Sequence, residues 1–154
     1  MIDMEKIFFY ETPVGKLCIG EGNGCITHVT WTKIPKEYVL EETELIQSCK
    51  KQLEEYFAGK RKAFDLPLAP KGTAFQQKVW KALTEIPYGE TRTYGEIAAA
   101  VGNSKGVRAV GMANNKNPIG IIIPCHRVVG ANGKLVGYAG GMEKKAFLLE
   151  LERK

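Results

Sequence analysis

Residues 1–70 alternate between apolar and polar positions in a way typical of a small α+β unit. Three short β-prone runs, at 6–10, 16–20 and 25–31, are separated by Pro/Gly and Gly-Asn-Gly turns and predict strands of a small antiparallel sheet. Residues 42–58 follow a helical period instead, and Gly59 can end that helix. Its apolar face consists of Leu45, Ile46, Cys49, Leu53, Tyr56 and Phe57. The segment 66–72, which contains two prolines, predicts a linker.

The second half of the chain has the pattern of successive helices. Thr73 and Gln76 form a capping-box pair ahead of an apolar stripe that ends at Pro87. The segment that starts at Thr93 repeats this capping pattern and predicts a helix that stops at Gly102. The sequence therefore predicts an α+β fold, with a small antiparallel-sheet N-terminal domain over 1–70 and a mostly helical C-terminal domain over 71–154.

Two further helices complete the second half. Asn103-Ser104 can cap a helix over about 105–114, with Val107 and Val110 on one face, and a last helix is predicted over 142–152. In that last helix the residues expected to face inward are Phe147, Leu148 and Leu151. The helices on either side of Gly102 resemble a helix-turn-helix, although many such pairs are only packing units.

Arg108 lies on the second helix of this pair, outside its valine stripe. It is either an ordinary surface arginine or a side chain that reaches a DNA groove or base stack. Its neighbours are small or unbranched and would allow close approach to a minor groove; they are Gly106, Ala109, Gly111, Met112 and Ala113. Residues 1–70 carry 9 Lys/Arg and 11 Asp/Glu (−2), whereas residues 71–154 carry 13 and 6 (+7). A basic half favours a polyanionic partner, and a merely solvated basic surface is the alternative.

The segment 121–127, Ile-Ile-Ile-Pro-Cys-His-Arg, carries the candidate chemistry. A strand stopped by Pro124 would place Cys125 at a strand end, where its thiol can meet a pocket. A thiol next to His126 and Arg127 is a candidate nucleophile with a pKa below that of a free cysteine. The alternative is a cysteine that only fills space in the core.

The number and spacing of the cysteines indicate the redox environment of the protein. Cysteines 18, 25, 49 and 125 are irregularly spaced and predict no disulfide framework, and neither a membrane span nor a signal peptide is evident. We therefore expect a cytoplasmic protein without membrane contact. Cys18, Cys25 and His28 could be considered metal ligands, but no fourth ligand is evident, so ordinary strand residues are the simpler interpretation. We expect no metal and no cofactor.

Taken together, these segments resemble the O6-alkylguanine-DNA alkyltransferases, also called methylated-DNA–protein-cysteine methyltransferases. The matching motifs cover nearly all of residues 72–152. In chain order they are Phe75-Gln-x-x-Val-Trp-x-Ala-Leu83, Ile86-Pro-Tyr-Gly89, Tyr94-Gly-x-Ile-Ala98, Arg108-Ala-Val-Gly111, Asn117-Pro118, Ile123-Pro-Cys-His-Arg-Val128 and Gly137-Tyr-x-Gly-Gly141. The first half matches more loosely, through Thr12-Pro-x-Gly-x-Leu17 and the strands that follow.

The resemblance implies direct-reversal DNA repair, in which one protein molecule removes one alkyl group from O6 of guanine, or from O4 of thymine, and is consumed. Cys125 would accept the alkyl group and His126 would deprotonate it through a bound water. Glu152, or Glu150 two residues earlier, would orient His126. Tyr94 would protonate the departing guanine.

The resemblance also implies how the lesion is bound. Asn117 would pin the turn before the active-site segment, and Arg108 would fill the base stack after the nucleotide flips out. Contacts to the minor groove would come from the helix carrying Arg108, through Ala109, Gly111 and Met112 together with Tyr94. The substrate pocket would consist of Pro124, Val128, Tyr138, Ala139 and Gly140. The partner would be double-stranded DNA containing O6-alkylguanine, bound by a monomer.

Two other functions remain as alternatives at this point. A non-catalytic lesion sensor of the same fold would lack the reactive cysteine, which Cys125 argues against. A helix-turn-helix transcription factor would explain the charge and the helices, but it would leave Cys125, His126 and Tyr94 without a role.

Overall fold

A computed structural model of the chain describes residues 4–138 and 140–154 and has a mixed α+β architecture. β1 (Glu5–Thr12), β2 (Gly15–Gly22) and β3 (Cys25–Thr30) form the predicted antiparallel sheet. A fourth strand, β4 (Tyr38–Leu40), pairs in parallel with β1, so that the order is β3-β2-β1-β4. The sequence does not predict β4, because three exposed residues carry no alternation of buried and exposed positions.

Helix α1 (Glu44–Phe57) packs against this sheet. The Thr43 hydroxyl caps it by accepting a hydrogen bond from the Ile46 N–H, and Gly59 follows with a φ of +75°. The predicted apolar face is confirmed, since Ile46, Cys49 and the other central residues of the stripe are buried. Tyr56 is buried on the same face, and its hydroxyl donates to Glu152 of the C-terminal helix.

Residues 67–69 run beside β3 and are part of the sheet edge. The Ile26 N–H donates to the Pro67 carbonyl over 2.8 Å, and the Ala69 N–H donates to the Ile26 carbonyl over 2.9 Å. The interpretation of 66–72 as a linker is therefore wrong for these residues. Their backbone groups extend the hydrogen bonding of the sheet, a long-range contact that two prolines in sequence do not reveal.

Helices α2 (Ala74–Thr84) and α3 (Tyr94–Ala100) begin at the two predicted capping boxes, both of which are present. Helix α4 (Val107–Asn115) follows a turn that contains Gly102 at φ +78°. Its N-cap is Gly106 and no side chain caps it, so the capping role predicted for Asn103-Ser104 is wrong. Val110 is buried, but Val107 is 43% exposed, which corrects its placement on the inner face.

The last helix, α5 (Met142–Glu152), has the predicted bounds but a different inner face. Leu148 is fully buried and Leu151 is partly buried, whereas Phe147 is 41% exposed, so the prediction that it faces inward is wrong. Lys145 is completely buried in its place. The apolar core is continuous from the strands through α1 and α2 to α5. None of the helices in the described part of the chain is long and apolar enough to cross a membrane.

Candidate functional site

The isoleucine run before Cys125 forms a compact turn, and the prediction of a strand there is wrong. Ile121 has a φ of +70°, and the Ile123 N–H donates back to the Ile119 carbonyl over 3.1 Å. Cys125 opens a 3-10 turn (Cys125–Arg127) that leads into β6 (Val128–Val129), which pairs with β5 (Arg92–Thr93). The Cys125 side chain is therefore held by a turn, and the residue is only 6% exposed.

The Asn117 side chain fixes the start of this turn. Its amide nitrogen donates to the Ile123 carbonyl over 2.8 Å, and its oxygen accepts from the Ile119 N–H over 3.0 Å. The neighbouring backbone is hydrogen bonded to β3, because the Gly120 N–H donates to the Val29 carbonyl and the Val29 N–H donates to the Pro118 carbonyl. The N-terminal sheet thus helps to hold the segment that carries Cys125.

The carboxylate of Glu152 lies at the centre of the buried polar groups behind Cys125. One oxygen accepts from the Tyr56 hydroxyl at 2.5 Å, from His126 Nε2 at 2.7 Å and from Arg127 Nη2 at 3.0 Å. The other accepts from Arg127 Nε at 2.8 Å and from the Gly89 N–H at 3.4 Å. Although burial raises the pKa of Glu152, the hydrogen bonds from His126 and Arg127 outweigh it and lower the pKa to about 2.

These contacts define the protonation state of His126. Burial lowers the pKa of the imidazole, against the opposing effect of Glu152, so the ring is neutral near pH 7. An ionised carboxylate can only accept, and Nε2 therefore carries the proton. Within the described residues Nδ1 is buried without a hydrogen-bond partner, which leaves an imidazole lone pair free to accept a proton.

Glu150 is not in this cluster. It is exposed and pairs with Arg153 at 3.5 Å on the surface of α5. Of the two carboxylates that the sequence offers, only Glu152 contacts His126.

The structure also changes the expectation for the thiol. Burial raises the pKa of Cys125, while the side chains of Asn117 and Tyr138 and the positive charge of Lys145 act in the opposite direction. The predicted lowering of this pKa by His126 and Arg127 is wrong, because the imidazole is neutral and the Arg127 guanidinium is paired with Glu152. In the resting protein the thiol must therefore lose its proton as it reacts.

Tyr94 is the first residue of α3, within electrostatic range of Cys125. Burial raises the pKa of its phenol, and the Cys125 thiolate would raise it further, so the hydroxyl keeps its proton. The hydroxyl donates to the Val136 carbonyl over 2.9 Å. Lys145 Nζ donates to the same carbonyl over 2.8 Å and lies 5.8 Å from the Tyr94 ring centroid. Burial lowers the pKa of Lys145 to about 8.

Helix α4, which packs against Tyr94 through Gly111, has a solvent-exposed face. Arg108 and Ala109 are exposed, and Met112 is 59% exposed. Gly111 lies against the Tyr94 ring, where a Cβ atom would come within 3.9 Å of it. Of the residues predicted to contact DNA, Arg108, Ala109 and Met112 are therefore exposed on α4, whereas Gly111 and Tyr94 are half-buried against each other.

The residues predicted to line the substrate pocket differ in their burial and in their contacts. Tyr138 is partly buried and packs edge-on against Trp31, and the Gly140 backbone lies so close to Trp31 that a Cβ would be 2.8 Å from the ring. Pro124 and Val128 are buried, and Val128 in β6 is paired with Arg92 in β5. Ala139 lies outside the described residues.

The described residues contain no group of three or more His, Cys, Asp or Glu side chains that could hold a metal ion. Cys18 and Cys25 lie on β2 and β3, and His28 Nδ1 is 2.9 Å from a Glu5 carboxylate oxygen. The imidazole of His28 thus has a carboxylate as its neighbour.

Two family models together match most of the chain. The ribonuclease-like domain of 6-O-methylguanine DNA methyltransferase matches residues 7–70, and the DNA binding domain of the same family matches residues 74–154. The chain belongs to the 6-O-methylguanine DNA methyltransferase family.

Individual relatives agree with this assignment. The methylated-DNA–protein-cysteine methyltransferase of Methanosarcina acetivorans is 54% identical over 93% of this chain and 95% of its own length. The constitutive enzyme of that name from Bacillus subtilis is 53% identical over 93% and 92% of the two chains. The crystal structure of Mycobacterium tuberculosis OGT in complex with DNA superimposes with a TM-score of 0.90, at 46% identity over 96% of this chain and 92% of the other.

Sequence reasoning missed three side chains of this methyltransferase site. Tyr56 has the spacing of a core residue on α1, and no local pattern shows that its hydroxyl reaches Glu152. Lys145 has the pattern of a surface lysine, yet it is fully buried beside Tyr94. The amide of Asn114 lies next to the Cys125 main chain, with its nitrogen 3.4 Å from the Cys125 carbonyl oxygen.

Proposed function

We propose that the protein repairs DNA by moving the alkyl group of O6-alkylguanine onto its own Cys125, once per molecule. The observation that carries this proposal is a buried thiol on a fixed turn, next to a neutral imidazole that is held by an ionised carboxylate. The S–C bond forms as the C–O6 bond breaks. The product is a thioether, which no group near Cys125 can readily hydrolyse, so the protein is consumed by the reaction.

The proton of the thiol leaves through His126. The free Nδ1 lone pair accepts it through a bound water, and the positive charge that then develops on the ring is stabilised by Glu152 at 2.7 Å. Because burial raises the pKa of Cys125, this transfer accompanies the attack on the alkyl carbon. Arg127 and Tyr56 keep Glu152 ionised and in place.

The leaving guanine needs a proton, and Tyr94 supplies it. Its raised pKa keeps the phenol protonated until charge develops on the base. The hydroxyl now donates to the Val136 carbonyl, and that hydrogen bond is exchanged for one to the guanine when the base enters. The acid and the thiolate then act from opposite sides of the same carbon.

The substrate is duplex DNA approached from the minor groove. A target atom inside a duplex is out of reach of a buried thiol, so the damaged nucleotide must be extruded. The exposed face of α4 enters the groove through Ala109 and Met112, and Arg108 takes the place of the extruded base in the stack. The flipped guanine is held by Tyr138, Gly140 and the turn over Pro124–Val128.

A stoichiometric titration tests this proposal. A fixed amount of duplex containing O6-methylguanine is incubated with increasing protein, and the remaining lesion is counted by chromatography of the digested DNA. We expect one lesion removed per protein molecule. Cys125→Ala should bind the duplex and remove none, whereas Cys25→Ala, at a half-buried thiol on β3, should retain full activity. Repair by Cys125→Ala would refute the proposal.

A further inference from the structure

Asn114 is a buried polar residue to which the mechanism above gives no role. It occupies the inner face of α4 with Val110 and Ala113, and only 1% of its surface is exposed. Its amide nitrogen is 3.4 Å from the Cys125 carbonyl oxygen. Within the described residues its side-chain oxygen is buried without a hydrogen-bond partner, which is a cost that a purely structural asparagine would not need to carry.

The same face of α4 carries Tyr94. A Cβ at Gly111 would lie 3.9 Å from the Tyr94 ring, and residues three apart are neighbours on a helix, so the Asn114 side chain leaves α4 next to that ring. Burial and Cys125 raise the pKa of Tyr94, and the Asn114 side chain is the group that acts against them. Asn114 is thus a side chain of the helix that adjoins both the Cys125 main chain and the Tyr94 phenol.

The position of Asn114 is fixed by the packing around it. Trp80 Nε1 donates to the Ala113 carbonyl over 2.9 Å and ties the end of α4 to α2. On the next residue, the Asn115 carbonyl accepts from Lys33 Nζ over 2.8 Å. A side chain anchored on such a rigid element can define the distance between two others, as a reacting pair requires.

We propose that Asn114 is a positioning residue that aligns the Tyr94 phenol with Cys125 for alkyl transfer. The inference rests on the proposed function, because it assumes that Tyr94 protonates the leaving base. When the base enters and the phenol leaves the Val136 carbonyl, the Asn114 amide nitrogen donates to the phenol oxygen, which leaves the phenol proton free for the guanine, and holds that oxygen on the side of the alkyl carbon opposite the sulfur. Asn114 itself forms and breaks no covalent bond.

This role predicts a selective defect. Asn114→Ala should slow single-turnover methyl transfer from duplex DNA about fivefold to tenfold, the size of a lost buried hydrogen bond. Iodoacetamide should alkylate Cys125 of the variant at the unmodified rate at the same pH, because iodide leaves without a proton. Asn114→Leu fills the same space without an amide and should show the same selectivity, even if the alanine variant is unstable. Gln47→Ala, which removes an exposed amide on α1 far from Tyr94 and Cys125 in the fold, is the control and should leave both rates unchanged.

A double-mutant cycle with Tyr94→Phe separates positioning from general support of the fold. If Asn114 acts through the phenol, Asn114→Ala should change the transfer rate of the Tyr94→Phe protein by less than about twofold. An undiminished effect in that background, equal slowing of both reactions, or a normal transfer rate in Asn114→Ala and Asn114→Leu would overturn this inference alone. Failure of the unmodified protein to remove the methyl group would overturn the proposed function, and this inference with it.

Discussion

Replacing Glu152 by glutamine tests the arrangement of the buried polar groups. The substitution preserves the shape of the side chain but removes the charge that pairs with Arg127, whose side chain is 8% exposed. It also brings an amide N–H₂ against groups that are themselves donors, the Tyr56 hydroxyl and His126 Nε2. The free energy of unfolding should therefore fall substantially, and the imidazole should lose its fixed orientation.

Two estimates of the magnitude agree. Lowering the pKa of Glu152 from 4.5 to about 2 corresponds to about 3 kcal/mol in favour of the ionised form. Removing one partner of a buried ion pair costs about 3–5 kcal/mol in other proteins. We expect a loss of about 3 kcal/mol for Glu152→Gln, measured by urea unfolding at pH 7, together with slower methyl transfer under conditions where the variant is folded.

Glu150→Gln is the matched control for this experiment. Glu150 pairs with Arg153 at the surface of α5, with both side chains more than half exposed, so its loss should change stability by less than about 0.5 kcal/mol. A Glu150→Gln variant as unstable as Glu152→Gln, or a Glu152→Gln variant with unchanged stability and activity, would refute the assignment of Glu152 as the partner of His126.

Three further outcomes are expected. Lys145→Met should shift the pH dependence of the iodoacetamide reaction of Cys125 to higher pH, because the Lys145 charge lowers the pKa of that thiol. An unshifted pH profile, or an equal shift in the control Lys144→Met, would contradict this. Arg108→Ala should strongly slow the repair of duplex DNA but leave the reaction with free O6-benzylguanine nearly unchanged, because the free base does not have to be flipped out of a duplex. Equal slowing on both substrates would instead assign Arg108 to the pocket or to the stability of the fold. The free energy of unfolding should decrease as the pH falls below 6.5, because the pKa of His126 is lowered in the folded protein and the imidazole takes up a proton on unfolding. It should decrease again from about pH 4.5 towards pH 2, because the lowered pKa of Glu152 likewise makes unfolding take up a proton. A free energy that does not change over either pH range would contradict the burial of this pair.

Local chemistry made much of the fold predictable. The capping boxes at Thr73 and Thr93 are decided by residues three positions apart, so their helices begin where the sequence indicates. The apolar face of α1 follows from a regular period over fourteen residues. Cys125 and His126 could be singled out because an adjacent thiol and imidazole suggest chemistry whatever the fold around them.

The predictions that fail concern residues whose conformation is set by contacts with residues distant in the sequence. Three isoleucines in a row predict a strand, but Asn117 and the edge of β3 fold them into a turn with Ile121 at φ +70°. The inner face of α5 follows neither apolar period nor charge, because its buried Lys145 is satisfied by the Val136 and Gly137 carbonyls, and Phe147 is left exposed. The role of Tyr56 depends on Glu152, 96 residues away, and no local pattern contains that information.

Intact-mass measurement with peptide mapping, after incubation with excess duplex containing O6-methylguanine, tests the central claim most directly. We expect each protein molecule to gain the mass of one methyl group in place of a hydrogen and then to stop reacting, with the methyl group on Cys125. A methyl group on Cys18, Cys25 or Cys49 would contradict the account, as would an unchanged mass or continued removal of lesions by unmodified protein.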